Sequence, residues 1–183
     1  MLMSSLGTVA TQQDRSSERH ALLRRLSETA GKVFPTIELR IQEDNASFHA
    51  QAYILDGRQV VTLLGGLAFH SRMQKDGLLF TVLHEIGHHV APGPRITQTN
   101  PLSCDCAADR WTVAEGQRLF SSHGMALDIR SALNEIELAL SDLMPASDLK
   151  SERWCFDWTR RKMALTSALV QPVVECEFRK LHS

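Results

Sequence analysis

Residues 77–90 read GLLFTVLHEIGHHV, and the fold turns on this stretch. Apolar residues surround almost its whole girth, which predicts a buried helix over Leu78–Val90. Asp76 is placed to cap its start, and Pro92, Gly93 and Pro94 prevent its continuation. Within it, His84, Glu85 and His88 form the pattern H-E-x-x-H. Helical residues four apart lie one turn above each other, so His84 and His88 present two imidazoles to one point. Glu85 sits beside that face, within reach of a water on the same ion. Two zinc ligands and a general base is the chemistry this spacing supports. A chain of this composition would contain about 0.02 such motifs by chance, which makes coincidence a poor explanation. The bland rival is a self-satisfied His/Glu cluster in a core, but buried ionisable groups need partners, and a metal supplies them.

A catalytic zinc takes a third protein ligand and keeps a fourth position open. Downstream, residues 103–111 read SCDCAADRW. Asp105 and Asp109 are one turn apart, so Asp105 can bind metal while Asp109 orients a ligand histidine from behind. The rival reading is a solvated acidic face. Small Ala108 between them lets two helices approach closely. Cys104 and Cys106 lie about 100° to either side of Asp105, so the three cannot all face one ion; core thiols are the expectation for both. Asn100-Pro101 reads as the cap and first position of this helix, which should run towards Phe120.

Upstream, the period changes. Residues 22, 23, 26, 30 and 33 are apolar at helical spacing, which predicts a helix from Ser17 that stops at Gly31 and Pro35. Thr36–Ile41 alternates like a half-buried strand. Ala50–Leu55 and Gln59–Leu64 flank Asp56-Gly57, a strong hairpin signal. Beyond the acidic pair, Ile129, Leu133, Ile136, Leu140 and Leu143 form the stripe of another helix, ended by Pro145. A last helix from about Asp148 carries Trp154, Trp158 and Leu165, with Pro172 as its stop. No repeat or linker interrupts the chain. One α+β domain over 1–183 is expected: 1–16 frayed, a core over 17–122, and a helical part over 123–183. Its sheet should be small, mostly antiparallel, and packed on the motif helix.

Composition narrows the classes. The 183 residues are 43% hydrophobic and 22% charged, with a formal net charge of −1, so neither disorder nor a basic nucleic-acid footprint is indicated. No apolar run approaches the ~20 residues of a membrane span. Residues 1–15, MLMSSLGTVATQQDR, do not read as a signal peptide. Cys104, Cys106, Cys155 and Cys176 are too sparse for a disulfide framework, so reduced thiols in a cytoplasmic protein are expected.

HEIGHH followed by DCAADRW resembles the gluzincin metallopeptidases, whose pattern is HExxH and then a helix bearing E-x-x-A-D or a close variant. The layout from Phe34 to Phe120, about half the chain, resembles the HtpX and CAAX-protease type, with a strand, a hairpin and then the motif helix. The resemblance implies a zincin-like fold, Zn2+ as cofactor, His84 and His88 as ligands, Glu85 as base, Asp105 as third ligand and Asp109 as the carboxylate behind a ligand. Three departures stand out. Asp replaces the usual Glu at the third ligand. Only 16 residues separate His88 from Asp105, a spacing closer to the soluble ImmA/IrrE-like peptidases, which cleave regulators in the bacterial cytosol. The membrane type's downstream His-Pro element is missing, since Ser147-Asp148 precedes Arg153. The group that would stabilise an oxyanion is therefore open among Arg153, His123 and Tyr53.

The remaining candidates read as ordinary. His89 points about 100° from His88 and suits a surface or supporting hydrogen bond. His49 and His70 have no partner at ligand spacing. Arg160-Arg161-Lys162 reads as a solvated face. The expected activity is peptide-bond hydrolysis on a protein or peptide substrate, added as a strand beside Gln59–Leu64 or Ala50–Leu55. The alternatives are a catalytically silent, metal-stabilised regulatory module and a helical interaction protein without metal. Nothing in the sequence speaks to oligomeric state.

Overall fold

Alternation and turn chemistry build the sheet, and the motif helix is laid against it. The computed structural model describes residues 12–96, 99–144 and 158–167. Helix α1 spans Gln12–Val33 and buries Leu23, Leu26 and Ala30. It starts ahead of the expected Ser17, so the stretch expected as frayed is helical from residue 12 onward. Strands β1 (Ile37–Gln42), β2 (Ala50–Leu55) and β3 (Arg58–Leu64) follow. Asp56 and Gly57 take φ of 50° and 78° between β2 and β3, the paired left-handed turn that matches strand twist.

The sheet order is β1-β3-β2, with β3 antiparallel to β2 and parallel to β1. This corrects the expectation of a mostly antiparallel sheet. The hairpin fixes only the β2–β3 pairing; placing β3 in the centre leaves β1 to dock on its far edge, running the same way. Strand β2 is therefore an edge strand, and Gln59–Leu64 is enclosed on both sides.

A short helix α2 (Gly65–Ala68) leads to α3 (Lys75–Val90), which packs against β2, β3 and the later helices. Leu78, Leu79, Val82, Leu83 and Ile86 are fully buried, as the apolar girth requires. The cap of α3 comes from elsewhere in the chain than expected. Glu135 Oε2 accepts from Gln74 N at 2.8 Å and from Gly77 N at 2.6 Å. Asp76 instead accepts from Asp128 N at 3.0 Å, tying α3 to the segment just ahead of a later helix.

Helix α4 is Asp105–Trp111, continued by a π-helical turn, Thr112–Gly116, and α5 (Gln117–Ser121). It does not begin at Asn100-Pro101: Asn100 Oδ1 accepts from Leu102 N at 2.9 Å, which closes a turn and not a helix. Helix α6 (Ile129–Leu143) matches its stripe and is capped by Asp128, whose Oδ1 accepts from the Arg130 and Ser131 amides. Helix α7 (Trp158–Ser167) packs on α4 and α6 through buried Trp158 and Leu165. Arg153, Cys155, Cys176 and the stops at Pro145 and Pro172 lie outside the described residues. No described helix is long and apolar enough to cross a membrane.

Cys104 and Cys106 are both disulfide-bonded, which corrects the expectation of reduced thiols. A low cysteine count argues against a dense framework, but it does not prevent individual cysteines from pairing.

Candidate metal centre

Two helices converge because one residue on each is small. A Cβ built at Gly87 would lie 3.0 Å from Ala108 Cα and 3.0 Å from Ala108 O. That close approach brings the first turn of α4 over the last turns of α3. Asp105, at the start of α4, then faces the histidine pair: its Oδ1 is 3.7 Å from His84 Nε2 and 4.0 Å from His88 Nε2. The two Nε2 atoms are 3.1 Å apart. Among the described residues, His84, His88 and Asp105 offer ligand atoms that all lie within 4.8 Å of one another, and this group could hold a metal ion.

The backs of the rings fix which nitrogen faces the group. Ser103 O accepts from His88 Nδ1 at 2.6 Å, so Nδ1 carries the proton and Nε2 of the neutral ring presents a lone pair. The same Ser103 donates its amide to His88 O at 2.7 Å and its hydroxyl to Ala91 O at 2.6 Å. It thereby binds the approach to α4 onto the end of α3. Behind His84, Asp109 Oδ1 lies 2.7 Å from Nδ1, close but off the line of a regular hydrogen bond. Asp109 in turn receives a fork from Arg161 of α7: Nε to Oδ2 at 2.9 Å and Nη2 to Oδ1 at 2.8 Å.

The electrostatics follow from burial and from these partners. Burial opposes charge on His84, yet the Asp109 carboxylate, with Asp105 on the other side of the ring, carries its pKa up to about 9. Burial, aided by the neighbouring His84 charge, takes His88 down to about 4. The pair therefore holds one proton between two facing Nε2 atoms, which places a positive charge where a cation would bind. Burial works against the ionised Asp105 and Asp109, but the His84 and Arg161 charges prevail and hold both below the ordinary carboxylate range. Burial pushes Glu85 up from its ordinary value.

The donor set fits a divalent ion on two grounds. Nitrogens and oxygens about 2.0–2.1 Å from a tetrahedral ion are about 3.3 Å from each other; the two imidazole nitrogens, at 3.1 Å, would open slightly, and Asp105 Oδ1, at 3.7 and 4.0 Å from them, would close by a few tenths of an ångström or more. An ion that took the His84 nitrogen would displace its proton, and three carboxylates (Glu85, Asp105, Asp109) against one guanidinium (Arg161) would then leave the two negative charges that such an ion cancels.

These groups open on a cleft of about 510 Å³. Glu85 lines it beside the histidines; Ala50 and Ala52 of β2 form one wall, and Phe80, Ile136 and Trp158 give it an apolar side. Tyr53 and His123 take no part in it. Tyr53 Oη is 3.1 Å from Thr62 Oγ1 on the sheet, and His123 is exposed, with Nδ1 donating to Leu119 O at 3.1 Å. Neither cysteine offers a thiolate, because both sulfurs are bonded. His89 is buried rather than superficial, its Nε2 donating to Val60 O at 3.0 Å.

Two residues of the centre escaped the sequence reading. Ser103 acts through its backbone, which no side-chain pattern betrays. Arg161 belongs to a run that reads in sequence as a solvated basic face, but the structure turns it inward onto a carboxylate 52 residues away. Asp109 beside His84 was the available clue, since a buried carboxylate needs a cation. The chain matches no known family model, no curated protein and no solved structure.

Proposed function

We propose that the protein is a zinc-dependent peptidase, with His84, His88 and Asp105 as ligands and Glu85 as general base. The observation that carries this reading is the convergence of three ligand atoms at the floor of a cleft that also holds Glu85 and the free edge of β2. A zinc ion bound there supplies Lewis-acid polarisation and acidifies a water towards pKa ~7. Glu85 accepts the proton of the attacking water and delivers it to the leaving amine. Strand β2, not the enclosed β3, has an outer edge that pairs with no other strand among the described residues, and along it an extended peptide can add. Phe80, Ile136 and Trp158 suit a large apolar side chain of that peptide.

The bonded cysteines bear on location. Disulfides persist in oxidising compartments, so they favour such a compartment over the reducing cytoplasm expected from the sequence. The test of function is hydrolysis of unfolded proteins and quenched peptides by the zinc-loaded chain beside Glu85→Gln. Cleavage by the wild type that is lost in the variant supports the reading. Equal cleavage by both excludes Glu85 as base. A zinc-bound wild type inert on every substrate favours the silent, metal-stabilised module.

A further inference from the structure

Asp109 Oδ1 is shared. It lies 2.7 Å from His84 Nδ1 and 2.8 Å from Arg161 Nη2, while Oδ2 accepts from Arg161 Nε at 2.9 Å. Both edges of the carboxylate are thus engaged, and its plane is set by the guanidinium fork, which a point charge could not do. Arg161 itself is held: its guanidinium carbon is 5.9 Å from the centre of the Trp158 ring, one helical turn earlier on α7. Trp158 is buried in the contact of α7 with the rest of the fold. A continuous line therefore runs from the C-terminal helix through Arg161 and Asp109 to the back of a metal-ligand histidine.

We propose that Arg161 is a positioning residue for the metal centre, acting on His84 through Asp109, and that α7 is by this route a working part of the site. The proposal rests on the metal-binding reading of His84, His88 and Asp105. Its physical basis is that a buried carboxylate behind a ligand histidine fixes the ring only if the carboxylate is itself fixed. Without the fork from Arg161, nothing would hold the plane of the Asp109 carboxylate, and it would swing away from His84 Nδ1, which removes the restraint on the ring.

The test is zinc affinity by competition with a chromophoric chelator, together with the visible spectrum of the cobalt(II) form, on the full chain. Arg161→Gln is expected to weaken zinc about 10- to 100-fold and to alter the cobalt spectrum. Arg161→Lys, which keeps charge but not the fork, should recover part of the affinity. Asp109→Asn should weaken zinc to a similar degree, and Arg161→Gln added to it should cost little more, because the two act in one line. Unchanged affinity and spectrum in Arg161→Gln would overturn the proposal, as would losses that simply add in the double variant. If Arg161→Gln does not fold, Arg161→Lys decides, and wild-type affinity there overturns the proposal. A wild type that binds neither metal overturns the underlying reading as well, which separates the two failures.

Discussion

Gly87 of α3 packs directly on Ala108 of α4, so closely that a Cβ on Gly87 would lie 3.0 Å from Ala108 Cα. Gly87 adjoins His88 and Ala108 adjoins Asp109, so the contact sets the distance between the histidines of one helix and the carboxylates of the other. The approach of the two backbones is what lets a side chain as short as Asp105 come within 3.7 and 4.0 Å of the histidine nitrogens.

Gly87→Leu should separate α3 from α4. Overpacking at such a contact costs about 1–3 kcal/mol of stability. The more telling effect is on the site, where zinc affinity should fall in a variant that still folds by circular dichroism. A folded variant with wild-type affinity would show that the helix approach does not govern the site.

The metal-free protein should be most stable near pH 6.5. His88 is depressed to about 4 when folded against about 6.5 unfolded, so its contribution is present above 6.5 and is lost as pH falls through about 4. His84 is raised to about 9, so its contribution is fully present below 6.5 and is lost as pH rises through about 9. Urea melts at a series of pH values would trace a bell, and His84→Gln should flatten its alkaline limb. A flat limb in the wild type would contradict the His84–Asp109 pairing.

Much of this centre can be read in the residues alone, for reasons that are local. The spacing of His84 and His88 and that of Asp105 and Asp109 depend only on helical periodicity, and Asp56-Gly57 depends only on turn chemistry. What escapes is set by distant partners. Glu135 caps α3 in place of Asp76 from 58 residues away. Arg161 finds Asp109 across 52 residues, so its neighbours in sequence mislead. The parallel β1–β3 pairing is decided by which edge of the hairpin remains open, and no strand pattern records that. The start of α4 shifts from Pro101 to Asp105 because Ser103 is committed to His88.

The disulfides of Cys104 and Cys106 flank Asp105, one at the N-cap of α4 and one in its first turn. Neither cysteine should react with iodoacetamide until reductant is added, and mass spectrometry of peptides reads this directly. Reduction should lower stability by about 2–4 kcal/mol. Loosening the turn that carries Asp105 should also weaken zinc. Rapid labelling of both cysteines in the unreduced, folded chain would contradict the bonded state.

Removing the base should leave the centre intact. Glu85→Gln is expected to retain zinc at wild-type stoichiometry while turnover falls by at least about 100-fold, the contribution of a positioned general base. Loss of zinc in this variant would make Glu85 a ligand or a support for one.

The claim on which the account rests is that His84, His88 and Asp105 together hold one divalent ion. Elemental analysis of the purified chain beside His88→Ala and Asp105→Ala, each after incubation with zinc and gel filtration, tests it directly. One zinc per wild-type chain is expected, and much less than one in either variant. A wild type without zinc, or variants that keep it in full, would contradict it.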